Sequence, residues 1–297
     1  MTRPPRHLGI VGNRGKEGVR SLLPPLVRWI REQGVPVSVE RALGRGLKGV
    51  GPGVSLATLV RRSDVLLVLG GDGTMLHAAR AVREGLPLLG VNLGSLGFLT
   101  ETGVESLYPA LTRLFRGQYE IERRMMLETT VRSAKGARIW SGVGLNDAVI
   151  HPRDRSRVIA MDIRIDPTPI GTLVADGLIV ATPTGSTAYS LSAGGPIVRP
   201  TIEALVATPI SPHTLTFRPL LVGADETIRL SLRAGHPRAM LTIDGQVTRL
   251  VKPGEEIEIR RARRHVSLIT LRHGSFYDVL RTKFAWAEPP RSARPRG

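Results

Sequence analysis

Apolar runs alternate with amphipathic stretches over the first third of the chain. Four such runs predict strands, at residues 7–12, 35–40, 64–69 and 86–92. Residues 18–33 and 74–83 carry apolar side chains at helical spacing, and the run at 64–69 is continuously apolar, as is typical of a buried parallel strand. This alternation predicts an α/β domain with a mostly parallel sheet over residues 1–118. Pro24 and Pro25 fall inside the first helical stretch, and we expect them to interrupt that helix.

The pattern changes near residue 119 to short β-branched runs separated by turn residues. Six runs of this kind occur at residues 127–132, 137–141, 158–165, 178–181, 227–232 and 256–259. Such spacing predicts a β-rich second domain over residues 119–271. Residues 276–285 then predict a short helix, and residues 288–297 predict a basic, disordered tail.

Composition excludes several classes of protein. The chain has no cysteine, which rules out disulfides, thiolate zinc sites and cysteine nucleophiles. No secretory signal is visible and no apolar stretch is long enough to span a membrane, so we expect a soluble cytoplasmic protein without membrane contact. The net charge is +17, but aromatic residues make up only 4% and no nucleic-acid-binding consensus is present. The charge therefore fits a generally basic proteome together with a site that handles polyanionic phosphates, and nucleic acid is not expected to be the main partner.

The strongest local feature is Gly70-Gly71-Asp72-Gly73-Thr74, which joins the strand at 64–69 to the helix at 74–83. Glycines let the backbone turn sharply and approach a phosphate, and the following helix offers N–H groups and a positive dipole end. Asp72 lies where open α/β sheets place ligand sites. A carboxylate there would accept a hydroxyl proton or help to hold Mg²⁺, and the structural alternative is a helix cap. The loop is not a P-loop, because no Gly-x-x-x-x-Gly-Lys-Ser/Thr occurs.

Three further segments place polar side chains at turns. In the first, residues 92–99, Phe98 either stacks on a base or fills the core. In the second, Asn146-Asp147 either binds ribose hydroxyls or forms an Asx turn at a strand start. In the third, residues 182–192 contain seven hydroxyl side chains with glycine and proline, which suits hydrogen bonds to a sugar, a phosphate or a carboxamide. A Ser/Thr linker is the alternative for this last segment.

These segments together resemble those of the NAD kinase family. The Gly-Gly-Asp-Gly-Thr loop is also shared by phosphofructokinase and diacylglycerol kinase relatives, whereas the segment at residues 182–195 is much more specific. Asn146-Asp147 resembles the Asn-Glu/Asp pair of the family. Three more motifs fit in the same order, namely Pro212-His213-Thr214-Leu215, Arg218-Pro219-Leu220 and Asp244-Gly245-Gln246. The resemblance covers residues 65–273.

The resemblance implies both a fold and an activity. The fold is an N-terminal α/β domain followed by a β-rich domain, with the C-terminal segment at residues 272–297 packing back on the first. The activity is phosphorylation of the adenosine ribose 2′-hydroxyl of NAD by ATP or polyphosphate, with Mg²⁺ or another divalent metal, in a homo-oligomer such as a dimer or tetramer. The alternative is a lipid or sugar kinase that shares the Gly-Gly-Asp-Gly loop.

The resemblance also assigns roles to residues. Asp72 would be the general base, and the phosphate-binding residues would be Gly70, Gly71, Gly73 and Thr74. The NAD-binding residues would be Asp72, Gly73, Asn146, Asp147, Arg157, Asp176, Thr187, Ala188, Tyr189, Ser190, Leu191, Ser192 and Gln246. No residue is assigned as a metal ligand. From their placement alone, Arg14 and Lys16 are expected to meet the phosphate donor.

Overall fold

The computed structural model describes residues 3–16, 18–94, 97–154, 158–214, 216–233, 238–271 and 275–286. The strands are β1 Leu8–Gly12, β2 Val37–Val39, β3 Val65–Gly70, β4 Leu88–Asn92, β5 Thr102–Gly103, β6 Glu120–Arg132, β7 Arg138–Gly144, β8 Asp147–Pro152, β9 Ile159–Ile165, β10 Thr168–Ala175, β11 Gly177–Ala181, β12 Ala204–Ile210, β13 Leu220–Gly223, β14 Ile228–Leu232, β15 Ala239–Ile243, β16 Val247–Val251 and β17 Glu256–Thr270. The helices are α1 Val19–Glu32, α2 Arg41–Gly44, α3 Leu56–Arg62, α4 Asp72–Ala81, α5 Leu107–Phe115, α6 Tyr189–Ser192 and α7 Phe276–Phe284.

The first part of the chain forms a parallel sheet with helices on both faces. Strands β2, β1, β3 and β4 lie side by side in that order, and every pair is parallel. Helices α1 and α5 pack on one face, and α3 and α4 pack on the other. Strand β3 is buried along its whole length, as its continuous apolar run predicted. This layered arrangement brings the carboxyl ends of β1 and β3 to one edge of the sheet.

Helix α1 runs without a break through Pro24 and Pro25, so the predicted interruption is wrong. Each proline removes a helical hydrogen bond, which disfavours the helix. Tertiary packing outweighs that cost, because one face of the helix is anchored in the core. The buried residues of this face are Val19, Leu23, Leu26, Val27 and Ile30.

The second part of the chain is rich in antiparallel strands, which confirms the predicted fold class. A separate sheet has the order β13-β12-β11-β8-β15-β16 and is antiparallel throughout. It packs against the antiparallel half of the large sheet, which contains β6, β9, β10, β14 and β17. A shared apolar cluster fills the space between the two sheets, and it includes Leu127, Ile150, Met161 and Leu241.

Strand β17 joins the two parts of the molecule. It pairs with β6 along most of its length, and near its end Leu268 pairs in parallel with Leu88 of β4. The large sheet is therefore continuous across the predicted boundary at residue 118, and the domain bounds stay a prediction. Helix α7 lies against the first part, with the ring of Phe284 centred 6.2 Å from that of Phe98. The predicted basic tail at residues 288–297 lies outside the described residues.

No helix in the described part of the chain is long and apolar enough to cross a membrane.

Candidate active site

Asp72 is the first residue of α4 and follows the buried strand β3 directly. Its carboxylate accepts hydrogen bonds from the backbone N–H groups of Phe98, at 2.9 Å, and Leu99, at 3.1 Å. Gly71 occupies the N-cap position and no side chain caps the helix. The capping alternative for Asp72 is therefore wrong, because the carboxylate is held by a neighbouring loop and not by its own helix.

Gly97 allows this loop to approach the carboxylate. A Cβ atom built on Gly97 would lie 1.9 Å from Oδ1 and 2.4 Å from Cγ of Asp72, which is far inside van der Waals contact. The N–H of Gly97 donates to Oγ1 of Thr100 at 3.0 Å, which fixes the turn. The orientation of the Asp72 carboxylate thus depends on a residue without a side chain at position 97.

A cavity of about 640 Å³ opens beside Asp72, at the carboxyl ends of β1 and β3. We call it the donor cavity, after the phosphate donor that Arg14 and Lys16 are expected to meet. Its polar lining consists of Asn13, Arg14, Lys16, Glu40, Asp72, Thr74, His77 and Gln246, and Gly71 and Gly73 complete the wall. The structure thus brings Arg14 and Lys16 to the same cavity as the glycine loop, and their contact with a phosphate donor stays a prediction. Burial raises the pKa of Glu40, and the charge of His77 and the N–H of Gly12 partly oppose that rise.

A second cavity of about 670 Å³ lies over β8 and β15. We call it the acceptor cavity, because it contains residues that the resemblance assigns to NAD, the expected phosphate acceptor. Its polar lining consists of Asn146, Asp147, His151, Asp176, Tyr189, Thr242 and Asp244, and Ala188 also contributes. Asp147 is only 5% exposed, and burial, followed by the nearby charge of Asp244, raises the pKa of the Asp147 carboxyl to about 7. The buried Oδ1 of Asn146 finds no hydrogen-bond partner among the described residues.

Thr187 lines a third cavity, of about 370 Å³, between the loop at 97–101 and the hydroxyl-rich segment. Its wall includes Phe98, Thr184 and Arg124, and helix α7 contributes Phe276. Phe98 is half-buried and carries the ammonium of Lys283 5.7 Å from its ring centre, so it is not part of the main core. The stacking alternative for Phe98 therefore remains open.

The structure does not bring every predicted site residue to these three cavities. Ser190 is fully buried, and its hydroxyl is hydrogen-bonded at 2.8 Å to that of Thr208. Leu191 and Ser192 belong to α6 and line none of the three cavities. Gly70 packs against Thr74, since a Cβ atom there would lie 2.2 Å from Oγ1 of Thr74.

Arg157 lies outside the described residues.

Arg80, which the sequence did not single out, and Asp244, which it gave only as part of a motif, connect the donor and acceptor cavities. Arg80 forms an ion pair with Asp244 at 2.9 Å and also donates to Oε1 of Gln246. Asp244 accepts the backbone N–H groups that begin the Asn146-Asp147 turn. The Asp244-Gly245-Gln246 motif pointed to this turn. The ion pair itself could not be predicted from the sequence, because Arg80 and Asp244 are separated by 164 positions in the chain.

The described residues contain no group of three or more His, Cys, Asp or Glu side chains that could hold a metal ion. Mg²⁺ is often held by one or two carboxylates together with substrate phosphates. The carboxylates of Asp72 and Glu40 both line the donor cavity. The residues present therefore fit a metal that arrives with a phosphate ligand, and not a site formed by protein alone.

Comparisons with known proteins place the chain in a family. The family profile of the ATP-NAD kinase N-terminal domain matches residues 8–119, and that of the ATP-NAD kinase C-terminal domain matches residues 145–271. The NAD kinase of Geotalea daltonii is 44% identical over 264 residues, which cover 89% of this chain and 92% of that protein. The NAD kinase of Moorella thermoacetica is 43% identical over 283 residues, which cover 94% of this chain and 89% of that protein.

Solved structures agree with this result. The yeast NADH kinase complexed with NADH superposes with a TM-score of 0.89 at 25% identity, covering 97% of this chain and 90% of that one. The NAD kinase from Archaeoglobus fulgidus in complex with ATP gives a TM-score of 0.73 at 23% identity, covering 94% and 98%. This second likeness bears on the fold alone.

The fold and these matches define a phosphotransferase with an α/β domain and a β-rich domain. The chain belongs to the NAD kinase family. The resemblance drawn from the motifs and the expected enzyme class are thereby confirmed. Membership of this family favours NAD kinase over the lipid or sugar kinase alternative.

Proposed function

We propose that the protein transfers a phosphoryl group from ATP or inorganic polyphosphate to the adenosine ribose 2′-hydroxyl of NAD, giving NADP, with Asp72 as general base. The observation that carries this proposal is the placement of the Asp72 carboxylate. It lies on the wall of the donor cavity, and two backbone N–H groups aim it. Asp72 is followed by Gly73, whose carbonyl accepts a hydrogen bond from Gln246 of the donor cavity. Gly245, the residue before Gln246, lines the acceptor cavity.

The chemistry requires a base at this position. A ribose hydroxyl is a poor nucleophile at neutral pH, and removing its proton in the transition state is worth roughly 10²–10⁴-fold. Each carboxylate oxygen of Asp72 accepts one N–H bond, and a carboxylate has about four acceptor positions in all. Capacity therefore remains for the proton of a hydroxyl. The same two bonds restrict rotation of the side chain, which keeps the base oriented.

We expect the donor phosphates to bind in the donor cavity. Arg14 and Lys16 supply positive charge there, and Gly71, Gly73 and Thr74 supply close backbone approach at the start of α4. The family profiles that match this chain are those of the ATP-NAD kinase domains, which supports ATP as one donor. Mg²⁺, held by the donor phosphates with Asp72 and Glu40, would neutralise charge on the transferred group.

NAD fits the acceptor cavity. Asn146, Asp147 and Asp176 offer amide and carboxylate groups to ribose hydroxyls, and Tyr189 offers an exposed ring. The unpartnered Oδ1 of Asn146 is explained if a ligand donates to it. The yeast relative was solved with NADH, which supports a dinucleotide as a ligand of this protein. Ser190 does not line the cavity. It would support the cavity wall through the hydrogen bond between its hydroxyl and that of Thr208.

The base is tested with Asp72→Asn. We expect NADP formation to fall by roughly 10²–10⁴-fold, because an amide cannot accept the hydroxyl proton, while NAD binding by calorimetry is retained. The matched control is Asp64→Asn, since Asp64 also accepts two backbone N–H bonds, from Arg6 and His7, but lies outside the cavities. Turnover near that of the wild type in Asp72→Asn would exclude the general-base role.

The acceptor and donor are tested with a substrate panel on the wild-type enzyme. NAD, NADH, a diacylglycerol and a sugar phosphate are offered as acceptors, first with ATP and then with polyphosphate. We expect NADP formation from NAD with at least one of the two donors. Phosphorylation of the lipid or sugar without NADP formation would favour the alternative kinase.

We also propose a cytoplasmic homo-oligomer, a dimer or a tetramer. The edge strand β13 supports self-association, because Leu220 and Leu221 on it are 42% and 52% exposed. Light scattering on the purified protein measures the mass directly, and a monomer at micromolar concentration would contradict this part of the proposal.

A further inference from the structure

Helix α4 is attached by side chains to the turn between β15 and β16, which consists of residues 244–246 and is called here the 244–246 turn. Arg80, near the end of α4, pairs with Asp244 at 2.9 Å and donates to Oε1 of Gln246. The amide Nε2 of Gln246 donates in turn to the carbonyl of Gly73 at 2.8 Å. The turn thus holds α4 at both its beginning and its end.

The orientation of the Gln246 amide follows from its two partners. Arginine only donates and a backbone carbonyl only accepts, so Oε1 faces Arg80 and Nε2 faces Gly73. Arg80 and Gly73 are seven residues apart, which is about two helical turns, and they therefore lie on the same face of α4. Arg80 consequently fixes the hydrogen bond made to the residue that follows Asp72.

Asp244 is a fully used scaffold residue. Its Oδ1 accepts the N–H groups of Asn146 and Asp147, and its Oδ2 accepts the N–H of Leu145 and the guanidinium of Arg80. Four donors match the four acceptor positions of a carboxylate, and the residue is only 6% exposed. The carboxylate has no capacity left for substrate, so its task is to hold the Asn146-Asp147 turn against Arg80.

The far end of α4 is held independently. A bulge in β17, between Arg261 and His265, directs Arg264 toward the helix. Arg264 donates to the carbonyls of Arg80, at 2.8 Å, and Val82, at 2.5 Å. Because this end of α4 is already fixed, the backbone of Arg80, from which its side chain extends, has a defined position. Its contacts with the 244–246 turn then set the position of the start of the helix.

We propose that Arg80 is a positioning residue that couples the two cavities: through Asp244 and Gln246 it fixes Asp72, at the start of α4, relative to Asn146 and Asp147. The inference rests on the proposed function, because NADP formation is its readout. It adds a role for a residue that touches neither proposed substrate. The distance between the base and the acceptor hydroxyl depends on this linkage, and turnover is sensitive to such distances.

The first test compares Arg80→Met and Arg80→Lys. Methionine removes both contacts, and we expect kcat for NADP formation to fall about 10–100-fold while KM for NAD changes less than about threefold. Lysine can keep one charge contact with Asp244 but cannot bridge to Gln246 as the guanidinium does, so we expect a partial rescue. An unchanged kcat in Arg80→Met, or a rise in KM without a fall in kcat, would overturn the inference.

The second test uses Gln246→Glu, which keeps an acceptor for Arg80 but removes the donor to the Gly73 carbonyl. If Arg80 acts through Gln246, the double variant with Arg80→Met has a kcat no lower than that of the more impaired single variant. Effects on kcat that multiply in the double variant would show independent roles and overturn the linkage. Should Arg80→Met fail to fold, Arg80→Lys replaces it in the same cycle.

The control is Arg260→Met. Arg260 pairs with Glu128 at 3.0 Å on the β6–β17 pair and makes no contact with α4 among the described residues. We expect its kcat to match that of the wild type. If kcat fell as far in Arg260→Met as in Arg80→Met, loss of any arginine ion pair would lower kcat, and the inference would be overturned. A wild-type enzyme that forms no NADP counts against the proposed function. An active wild type with an unaffected Arg80→Met counts against this inference alone.

Discussion

Two aspartates serve the site in opposite ways, one in the loop after β3 and one in the 244–246 turn. Both carboxylates accept backbone N–H groups from a different segment of the chain. Asp72 accepts two such bonds and lies half-buried on a cavity wall. Asp244 accepts three together with the Arg80 guanidinium, and its side chain is fully buried.

The number of occupied acceptor positions and the access to a cavity distinguish a reactive carboxylate from a structural one. A carboxylate with unused acceptor positions and access to a cavity can take a proton from a substrate. One whose positions are all filled can only hold its donors in place. The two aspartates also differ in the expected loss of stability when they are removed, because the mostly buried Arg80 depends on Asp244 for its counter-charge. Three predictions test this comparison.

The largest expected effect is on the stability of Asp244→Ala compared with Asp72→Ala. We expect Asp244→Ala to lower the free energy of unfolding by about 3–5 kcal/mol, since Arg80 loses its counter-charge in a site where it is 13% exposed. Asp72→Ala removes two N–H bonds at a half-buried position, and about 1–2 kcal/mol is expected. Urea unfolding measures both values. Equal costs would remove the distinction between the scaffold carboxylate and the reactive one.

The next effect is on kcat, through the orientation of the Asp72 carboxylate. Gly97→Ala places a methyl group where the carboxylate lies, so we expect kcat to fall by about 10²-fold while the fold is retained. Gly94→Ala is the matched control, because it lies three residues earlier and a Cβ atom there meets nothing within 4 Å. Steady-state kinetics on both variants decides the point. Comparable kcat values in the two would show that the orientation set by the 97–99 loop is unimportant.

The smallest effect is a pH dependence of stability that burial of Asp147, followed by the nearby charge of Asp244, imposes. The pKa of Asp147 is raised from 3.8 to about 7, so the folded state keeps a proton that the unfolded chain releases. This contribution to stability is complete below about pH 3.8 and is lost as the pH rises through about 7. Between pH 5 and 8 the wild type should therefore lose about 2–3 kcal/mol through this group.

Asp147→Asn should remove that loss, so its free energy of unfolding would rise relative to the wild type as the pH increases. Urea unfolding at several pH values measures the slope. Asp64→Asn changes an exposed carboxylate, leaves Asp147 in place and is expected to keep the wild-type slope. The same slope in Asp147→Asn and the wild type would show that Asp147 does not hold a proton near neutral pH.

Local signals in the sequence predicted much of the fold. The run at residues 64–69 predicted a buried strand because burial on both faces requires apolar side chains at every position. Strands β6 and β17 were predicted only in part, at residues 127–132 and 256–259, because both carry many charged side chains. Their remaining lengths are stabilised by pairing with each other, which no local pattern records.

The candidate site was predicted unevenly for the same reason. Motifs identified the loop residues, including Asp72, and the structure gathers most of them around the donor and acceptor cavities. The hydroxyl-rich segment was assigned as a unit, and the structure divides it. Thr187 faces a cavity, whereas Ser190 bonds inward to Thr208. Which side chain of a short helix faces a ligand depends on how the helix is docked, and residue type alone does not determine it.

The position of β17 in the chain has a consequence for biosynthesis. Its end at Leu268 pairs with Leu88 of β4, so one side of a strand made early is completed by residues that are made much later. During translation that part of β4 stays an open edge, and open edges invite pairing with other chains. A ribosome-bound chain that stops before residue 256 lacks this pairing partner. Nascent chains of this protein are therefore expected to depend on rapid completion, or on a chaperone, more than a chain whose N-terminal sheet closes by itself.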